Sequence, residues 1–304
     1  MSNSESRGAR VDTLRSLGFS RVVAGMWRVL DWKMSAGELS DFVDTCLDLG
    51  ITTFDHADIY GRGEVETLFG HVLSANPGLR ERVQIVSKAG IRLAGSAGGV
   101  RTKHYDSGAG YLRGAVEGSL KRLKTDYLDL FLIHRPDLLA CMDEVAQVAQ
   151  VLKEEGKIRA FGVSNFSVRQ FDLLRTKTAV ATNQIEFSPF ASAAMQEDMF
   201  AVLSQAAVSP MIWSPLGGGR LFSETDPVAA RVRTVMQSIQ QQCGAHSWLA
   251  VAYAWIFRLP GCPYVITGSR REDALRDALE GLQLELQREQ WYEILEAARG
   301  CAVA

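Results

Sequence analysis

Cysteine is scarce in this sequence, and its spacing argues against two common kinds of cysteine site. The 304 residues include five cysteines. Their number is odd and no two of them form a C-x-x-C pair, which argues against a disulfide framework and against a zinc site. Cysteines in this pattern are typical of reduced thiols, so we expect a cytoplasmic protein.

Long apolar runs and an excess of charge of one sign are also missing. No apolar run is long enough to span a bilayer, and the polar start from Met1 to Arg10 lacks the apolar segment of a secretory signal. The 33 Lys and Arg residues nearly balance the 35 Asp and Glu residues, for a net charge of −2. We therefore expect neither nucleic acid nor a membrane as the main partner, although a local basic patch could still bind a nucleotide. The sequence gives no indication of the oligomeric state.

The sequence does contain a regular alternation of buried strands and amphipathic helices. Hydrophobic residues make up 47% of the chain, as in a folded globular core. The segment 127–134 is almost wholly apolar, as expected of a parallel strand that is buried on both faces. A helix begins at the capping box of Ser35 and Glu38 and ends at Gly50. About eight strands are predicted, at 21–24, 51–55, 83–88, 127–134, 158–163, 182–187, 210–213 and 264–266.

Strands that alternate with helices predict a parallel sheet, and two folds compete for it. The open doubly wound sheet usually carries G-x-G-x-x-G after its first strand, and that motif is absent here. Eight strand–helix units in a chain of 304 residues fit the closed (β/α)8 barrel, known as the TIM barrel. We therefore predict a single α/β domain over residues 1–304, with its core at about 12–298. In this fold variable loops form the substrate pocket, here the segments 27–32, 91–105 and 217–226, and the glycine- and serine-containing run 94–99 is expected to be mobile.

Four polar side chains lie where a barrel carries its chemistry, at the carboxyl ends of the strands. Asp55, Lys88 and His134 each end a predicted strand, and Tyr60 follows Asp55 by five residues. A buried ammonium needs a carboxylate, so we expect Lys88 to pair with Asp55. A cation close to Tyr60 lowers the pKa of the phenol and makes it a proton donor, while His134 can donate a hydrogen bond to a substrate oxygen.

Each of these residues has an ordinary structural explanation as well. Lys88 could be a solvated strand end, His134 a core residue, Asp55 a loop cap and Tyr60 a loop anchor. Their joint placement at one end of the barrel favours a chemical role. A second kind of chemistry stays open at this point, because a desolvated Lys88 could form a Schiff base with a carbonyl, as in the barrel aldolases.

A second set of residues, in the C-terminal half, suits a nucleotide. Amide and hydroxyl groups near strand ends can hold a carboxamide, and an aromatic face can stack on a flat heterocycle, although an aromatic residue can equally be packing. Glycine-rich backbone and a helix N-terminus can bind phosphate oxygens, and arginines can neutralise a further phosphate or simply be solvated. These residues are Ser164, Asn165, Gln184, Trp213, the run 214–220 that includes Ser214, Leu216, Gly218 and Arg220, and Gly268, Ser269, Arg270 and Arg271.

Taken together, these segments resemble the aldo-keto reductases, over a span from about residue 21 to residue 281. The first signature of that family is similar to Asp55-x-Ala57-x-x-Tyr60-Gly61 followed by Glu66-x-x-x-Gly70. The other matching segments are Ser87-Lys88, the run 128–134, the run 163–166, Asn183-Gln184 and the run 213–217. The runs 25–28, 31–32 and 134–137 suggest a bacterial branch of largely uncharacterised oxidoreductases.

The resemblance implies reduction of an aldehyde or a ketone to an alcohol by hydride transfer from NADPH, without a metal. Tyr60 would be the general acid, Lys88 and Asp55 would tune it, and His134 would orient the carbonyl. Ser164, Asn165 and Gln184 would hold the nicotinamide carboxamide. The other implied cofactor contacts are Met26, Trp27, Trp213, Ser214, Leu216, Gly218, Arg220, Gly268, Ser269 and Arg270.

The sequence departs from the usual family pattern at several positions. His56 stands where threonine is common, and Trp213 where tyrosine is common. Ala274 and Ala278 replace an Arg and an Asn that usually bind the adenosine end of the cofactor. Arg270 and Arg271 remain as donors to a 2′-phosphate, so NADPH is still favoured over NADH. Some relatives bind the cofactor without catalysis and serve as redox-sensing subunits, and this is the rival function that the resemblance implies.

Overall fold

The computed structural model describes residues 12–96 and 98–303, and its strands close into a barrel. The barrel strands follow the order β1-β10-β9-β8-β7-β6-β3-β2, and each neighbouring pair is parallel. The strands of this part of the chain are β1 (Val22–Gly25), β2 (Thr53–Asp55), β3 (Gln84–Ala89), β4 (Ile91–Arg92), β5 (His104–Tyr105), β6 (Leu128–Ile133), β7 (Ile158–Ser164), β8 (Asn183–Glu186), β9 (Met211–Trp213) and β10 (Tyr264–Thr267). The predicted (β/α)8 barrel is confirmed.

Helices fill most of the connections and cover the outside of the barrel. Within the described residues they are α1 (Thr13–Ser16), α2 (Ala36–Asp48), α3 (Glu64–Ala75), α4 (Leu79–Arg82), α5 (Ala109–Leu123), α6 (Met142–Glu154), α7 (Val168–Arg175), α8 (Ala193–Gln196), α9 (Met199–Ala206), α10 (Pro227–Cys243), α11 (Trp248–Phe257), α12 (Glu272–Gln283) and α13 (Arg288–Arg299). Short 3-10 turns lie at Tyr60–Gly63 and Gly217–Phe222. None of these helices is both long enough and apolar enough to cross a membrane.

Local sequence explains where the helices start and stop. The side chain of Ser35 accepts a hydrogen bond from the backbone N–H of Glu38, and the carboxylate of Glu38 accepts one from the backbone N–H of Ser35. The predicted capping box therefore starts α2. Asp226 caps α10 through the backbone N–H groups of Val228 and Ala229, with proline at the first helical position. Gly244 ends that helix in the left-handed region that glycine adopts most easily.

Two apolar layers hold the barrel together, one inside it and one between strands and helices. The inner layer includes Leu130, Leu132 and Val86, which lie on the same side as the strand-end residues, as period-two alternation predicts. Leu14 of α1 belongs to this inner layer and closes the end of the barrel at which the strands begin. Sequence patterning did not predict α1, since four residues are too few for a helical period.

The segment 91–105, predicted to be a pocket loop, contains a short hairpin. Ile91 pairs with Tyr105 and Arg92 with His104 in an antiparallel register. Strands of two residues are too short to produce an alternation pattern, so this hairpin could not be predicted from sequence. The run 94–99, which is expected to be mobile, includes one residue outside the described ranges. The polar start at 1–10 lies wholly outside them.

Helices α3 and α5 approach each other closely at Gly70. A Cβ on Gly70 would lie 2.1 Å from the carbonyl oxygen of Arg122, so only glycine fits at this crossing. The close approach brings the buried carboxylate of Glu66 within 2.7 Å of the Arg122 guanidinium and 2.6 Å of the Ser87 hydroxyl. Gly70 thus lets α3 pack against α5, and Glu66 joins α3 to β3, the strand that carries Lys88.

Candidate active site

The four polar residues predicted at the strand ends meet at one end of the barrel. The Nζ atom of Lys88 lies 2.7 Å from Oδ2 of Asp55 and 3.2 Å from the hydroxyl of Tyr60. It also donates to the backbone oxygen of His56 at 2.7 Å. The ring of His134 stands edge-on to that of Tyr60, with centroids 6.0 Å apart. The ammonium therefore joins the carboxylate and the phenol in one hydrogen-bonded group.

Lys88 is held as a cation although its side chain is buried. Burial alone disfavours the ammonium, but the carboxylate of Asp55 and the phenol of Tyr60 outweigh that effect and raise the pKa of Lys88 above its ordinary value. Asp55 is itself fixed on both sides, because the amide of Gln184 donates to its Oδ1 at 2.9 Å. A charged amine is consequently the resident form of Lys88 at neutral pH.

The pKa of the phenol shifts in the opposite direction to the one predicted. Burial raises the pKa of Tyr60, and the nearby ammonium of Lys88 offsets only part of that rise. The sequence indicated the cation but not the depth at which the phenol would lie. Tyr60 therefore keeps its proton at neutral pH, and the phenolate that donation would leave behind forms next to an ammonium.

His134 is a neutral imidazole that faces the same cavity. Its side chain is 9% exposed, and its Nδ1 has no partner among the residues that the structure describes. Burial, followed by the ammonium of Lys88, holds the pKa of His134 well below its ordinary value. A neutral imidazole carries one N–H and can donate it to an oxygen placed between His134 and Tyr60.

A cavity of about 760 Å³ opens above these residues and extends towards the N-terminus of α12. Trp213 lies along it, and its indole N–H donates to Oδ1 of Asn165 at 3.2 Å. Asn165 in turn donates to the hydroxyl of Ser164 at 2.7 Å. Asn165 and Ser214 adopt positive φ values of 56° and 53°, a costly backbone conformation that is often found at functional sites.

Most of the residues predicted to contact a nucleotide line this cavity. Its volume, its aromatic wall and the cations at its far end fit a dinucleotide with phosphate groups. The predicted cofactor residues that line it are Trp27, Ser164, Asn165, Trp213, Ser214, Leu216, Gly218, Gly268, Ser269, Arg270 and Arg271.

Three residues predicted to contact the cofactor do not line the cavity. Met26 is fully buried in the layer between strands and helices. Gln184 turns its amide towards Asp55 instead of the cavity, so it supports the charged pair. Arg220 forms an ion pair with Asp226 and stacks over the ring of Phe190.

Other residues of the cavity were not individually predicted. Arg28 and Trp32 come from the loop after β1, and Lys103 and Tyr105 come from the segment after β3. The sequence analysis predicted that both segments form the pocket but assigned no role to these four residues. Arg135 follows His134 directly, and that adjacency was the available signal for it. Arg28 donates to the backbone oxygen of Gly218 at 3.0 Å and so joins the first loop to the glycine-rich turn.

Comparison with known proteins agrees with this geometry. The sequence profile of the Aldo/keto reductase family matches residues 21–299. The chain belongs to the aldo/keto reductase family. The oxidoreductase YdhF of Escherichia coli is 44% identical over 284 residues, which cover 93% of this chain and 94% of YdhF. A 6-dehydroglucose reductase of Agrobacterium fabrum is 39% identical, with 97% of this chain and 99% of that protein covered.

A solved structure supports the fold of this aldo/keto reductase. The glycerol dehydrogenase AKR11B4 from Gluconobacter oxydans superposes with a TM-score of 0.81 and covers 94% of each chain. At 24% sequence identity, that likeness concerns the barrel alone. Together with the family match, it makes the chain an oxidoreductase built on the TIM barrel.

Asp58 carries an unusual carboxyl group close to the tetrad of Asp55, Tyr60, Lys88 and His134. Its backbone N–H donates to the oxygen of Lys88 at 3.0 Å, and the hydroxyl of Tyr111 donates to its Oδ2 at 3.3 Å. Its Oδ1 has no partner within the described residues. Burial, followed by the carboxylate of Glu66, raises the pKa of Asp58 to about 7, against an opposing effect of Arg122.

We expect Asp58 to make the protein less stable as the pH rises from about 4 to about 7. In that range the folded state holds a proton that the unfolded chain has released, because the folded pKa of about 7 exceeds the ordinary value of 3.8. Asp58→Asn keeps the neutral form at every pH. The loss of unfolding free energy between pH 5 and pH 8 should therefore shrink by roughly 2 kcal/mol in this variant.

Urea unfolding at the two pH values measures the effect, with the exposed Asp44→Asn as the matched control. An equal pH dependence in wild type and Asp58→Asn would show that the carboxyl is ionised in the folded protein at pH 5.

Proposed function

We propose that this protein reduces an aldehyde or a ketone to the corresponding alcohol, with NADPH as the hydride donor and Tyr60 as the general acid. The observation that carries the proposal is the contact of the Lys88 ammonium with both Asp55 and the Tyr60 hydroxyl, at 2.7 Å and 3.2 Å. This contact lies at the base of a cavity that is large enough for a cofactor and a substrate together.

The reaction needs a hydride at the carbonyl carbon and a proton at the carbonyl oxygen. NADPH, when bound, supplies the hydride. The N–H of neutral His134 holds the substrate oxygen beside Tyr60, and the phenol transfers its proton to that oxygen as negative charge develops there. Lys88 stabilises the resulting phenolate, and Asp55 keeps Lys88 charged and in place. Solvent then returns the proton to Tyr60.

Residues along the cavity suit the parts of the cofactor. The face of Trp213 suits the nicotinamide ring, and Ser164 and Asn165 suit its carboxamide. The glycines of the turn Gly217–Phe222 have no side chains, so the backbone there can approach the pyrophosphate closely. Arg270 lies before the N-terminus of α12, where a phosphate is favoured, and this placement supports NADPH over NADH.

The lysine aldolase hypothesis is less well supported by the same site. A Schiff base needs a neutral amine as the nucleophile. The pKa of Lys88 is raised, and its ammonium is engaged by three oxygen atoms. A redox sensor without catalysis would not need Lys88, Asp55 and Tyr60 in one hydrogen-bonded group with His134 beside them, so we favour the reductase over the sensor.

Arg270→Ala should weaken NADPH binding by about tenfold to a hundredfold and leave NADH binding unchanged. The reason is the loss of one charge-assisted contact with the 2′-phosphate, which NADH lacks. Fluorescence titration with the two nucleotides side by side measures this difference. Equal weakening of both nucleotides would contradict the assignment of Arg270 to that phosphate.

Steady-state oxidation of NADPH with a panel of aldehydes and ketones tests the reaction itself. Nucleotide binding without oxidation by any carbonyl would favour the sensor. A borohydride-trapped adduct on Lys88 in the absence of nucleotide would favour the aldolase.

A further inference from the structure

The cavity carries an excess of positive charge that the cofactor does not account for. Its charged lining residues in the described chain are Arg28, Asp55, Lys103, Arg135, Arg270 and Arg271. Asp55 is neutralised by Lys88. Arg270 and Arg271 lie at the phosphate end, and Arg28 is bonded to the glycine-rich turn. Lys103 and Arg135 remain, and both line the cavity together with His134.

Arg135 has no carboxylate of its own. It is partly buried, its guanidinium lies 5.3 Å from the ring centroid of Trp213, and no ion pair of Arg135 occurs within the described residues. Burial raises the pKa of Glu186 and Arg135 opposes that rise, but the two groups, both in the described part of the chain, form no ion pair. A guanidinium that loses water without gaining an anion is costly, so its neighbourhood favours an anionic ligand.

Lys103 is exposed and lines the same cavity from the segment after β3. It directly precedes the hairpin strand β5, and among the described residues it forms no ion pair. Its ammonium acts on His134 in the same direction as Lys88 and Arg135, since all three help to lower the pKa of that imidazole after burial. Lys103 and Arg135 thus line the same cavity as His134, and neither has a carboxylate partner within the described residues.

We propose that the substrate carries an anionic group, a carboxylate or a phosphate ester, and that Arg135 and Lys103 bind it while the carbonyl lies between His134 and Tyr60. This inference rests on the reductase function proposed above. The side chains of Trp27, Trp32 and Tyr105 form the remaining walls and suit a carbon skeleton. Arg135 and Lys103 thus act as specificity-determining residues, which select oxo-acids or phosphorylated carbonyl compounds over neutral ones.

Matched pairs of aldehydes test the preference in the wild-type protein. One pair is 4-carboxybenzaldehyde and its methyl ester, which differ in charge but little in shape. The second pair is glyceraldehyde 3-phosphate and glyceraldehyde. We expect kcat/KM to be about tenfold to a hundredfold higher for the charged member of at least one pair, and the pair that responds distinguishes carboxylate from phosphate. The ratio should fall as salt is added, because charge pairs near solvent are screened.

Variants then assign the preference to its residues. Arg135→Met and Lys103→Met should each lower the charged-to-neutral ratio by about tenfold, mainly through a higher KM for the charged aldehyde. Arg135→Lys should retain part of the ratio, since it keeps the charge but not the planar fork. The exposed Lys121→Met removes one charge outside the cavity and is the matched control. Affinity for NADPH should stay unchanged in the four variants.

Three results would overturn the inference. The first is a wild-type ratio of one or less in both pairs, as expected for an enzyme of neutral hydroxylated aldehydes. The second is an unchanged ratio in Arg135→Met and Lys103→Met. The third is an equal loss with charged and neutral aldehydes, which would indicate a structural role. Reduction of neutral aldehydes without any charge preference would leave the reductase proposal intact, whereas no reduction of any carbonyl would refute both.

Discussion

Tyr60→Phe is expected to lower kcat by roughly 10²–10⁴-fold, the usual contribution of a positioned general acid. The variant removes one oxygen atom, so the substrate oxygen loses the proton donor that the reduced product requires. The cavity and its phosphate end are untouched, so the Kd for NADPH should stay the same. Single-turnover oxidation of bound NADPH, followed by its absorbance, separates the chemical step from binding and release.

The stability of Tyr60→Phe should change little. Among the described residues its hydroxyl accepts one hydrogen bond, from the Lys88 ammonium at 3.2 Å, and the ammonium keeps its two other oxygen partners. Tyr292→Phe removes a hydroxyl at an exposed position and serves as the control. Carbonyl reduction at the wild-type rate in Tyr60→Phe would refute the role of Tyr60 as the acid, and a loss of NADPH binding would indicate a disturbed cavity.

The barrel and the place of the tetrad could be predicted because both depend on short-range patterns. Buried apolar runs mark the strands, and in a parallel barrel the carboxyl ends of all strands meet at one rim. The register brings Lys88 beside Leu132 and Asp55 beside Val86, so residues that end different runs become neighbours. No knowledge of side-chain packing was needed for that step.

Side-chain direction and depth could not be predicted in the same way. Gln184 was assigned to the cofactor because amides suit a carboxamide, but its partner is Asp55, which lies 129 residues away in sequence. The shift of the Tyr60 pKa depends on how burial compares with the field of Lys88, and a sequence does not state burial depth. Arg135 follows His134 in the sequence, but Lys103 lies on a distant segment whose course is set by packing, so its place in the same cavity is visible only in three dimensions.

The charged pair of Lys88 and Asp55 carries the second large expected effect, on stability as well as on activity. Lys88→Met leaves the Asp55 carboxylate buried with only the Gln184 amide as a side-chain partner among the described residues. Breaking a buried ion pair from one side typically costs about 3–5 kcal/mol. We therefore expect a marked fall in the midpoint of urea unfolding, together with the loss of carbonyl reduction.

Adding Asp55→Asn to Lys88→Met should restore much of the stability without restoring activity. Both buried charges are then gone, and the asparagine oxygen can still accept from Gln184, so the two substitutions should couple favourably in a double-mutant cycle. Turnover should stay absent because the phenolate of Tyr60 would form without a cation beside it. Recovery of carbonyl reduction in the double variant would show that the pair serves only to hold the barrel together. Additive losses of stability would show instead that Lys88 and Asp55 do not depend on each other in the folded protein.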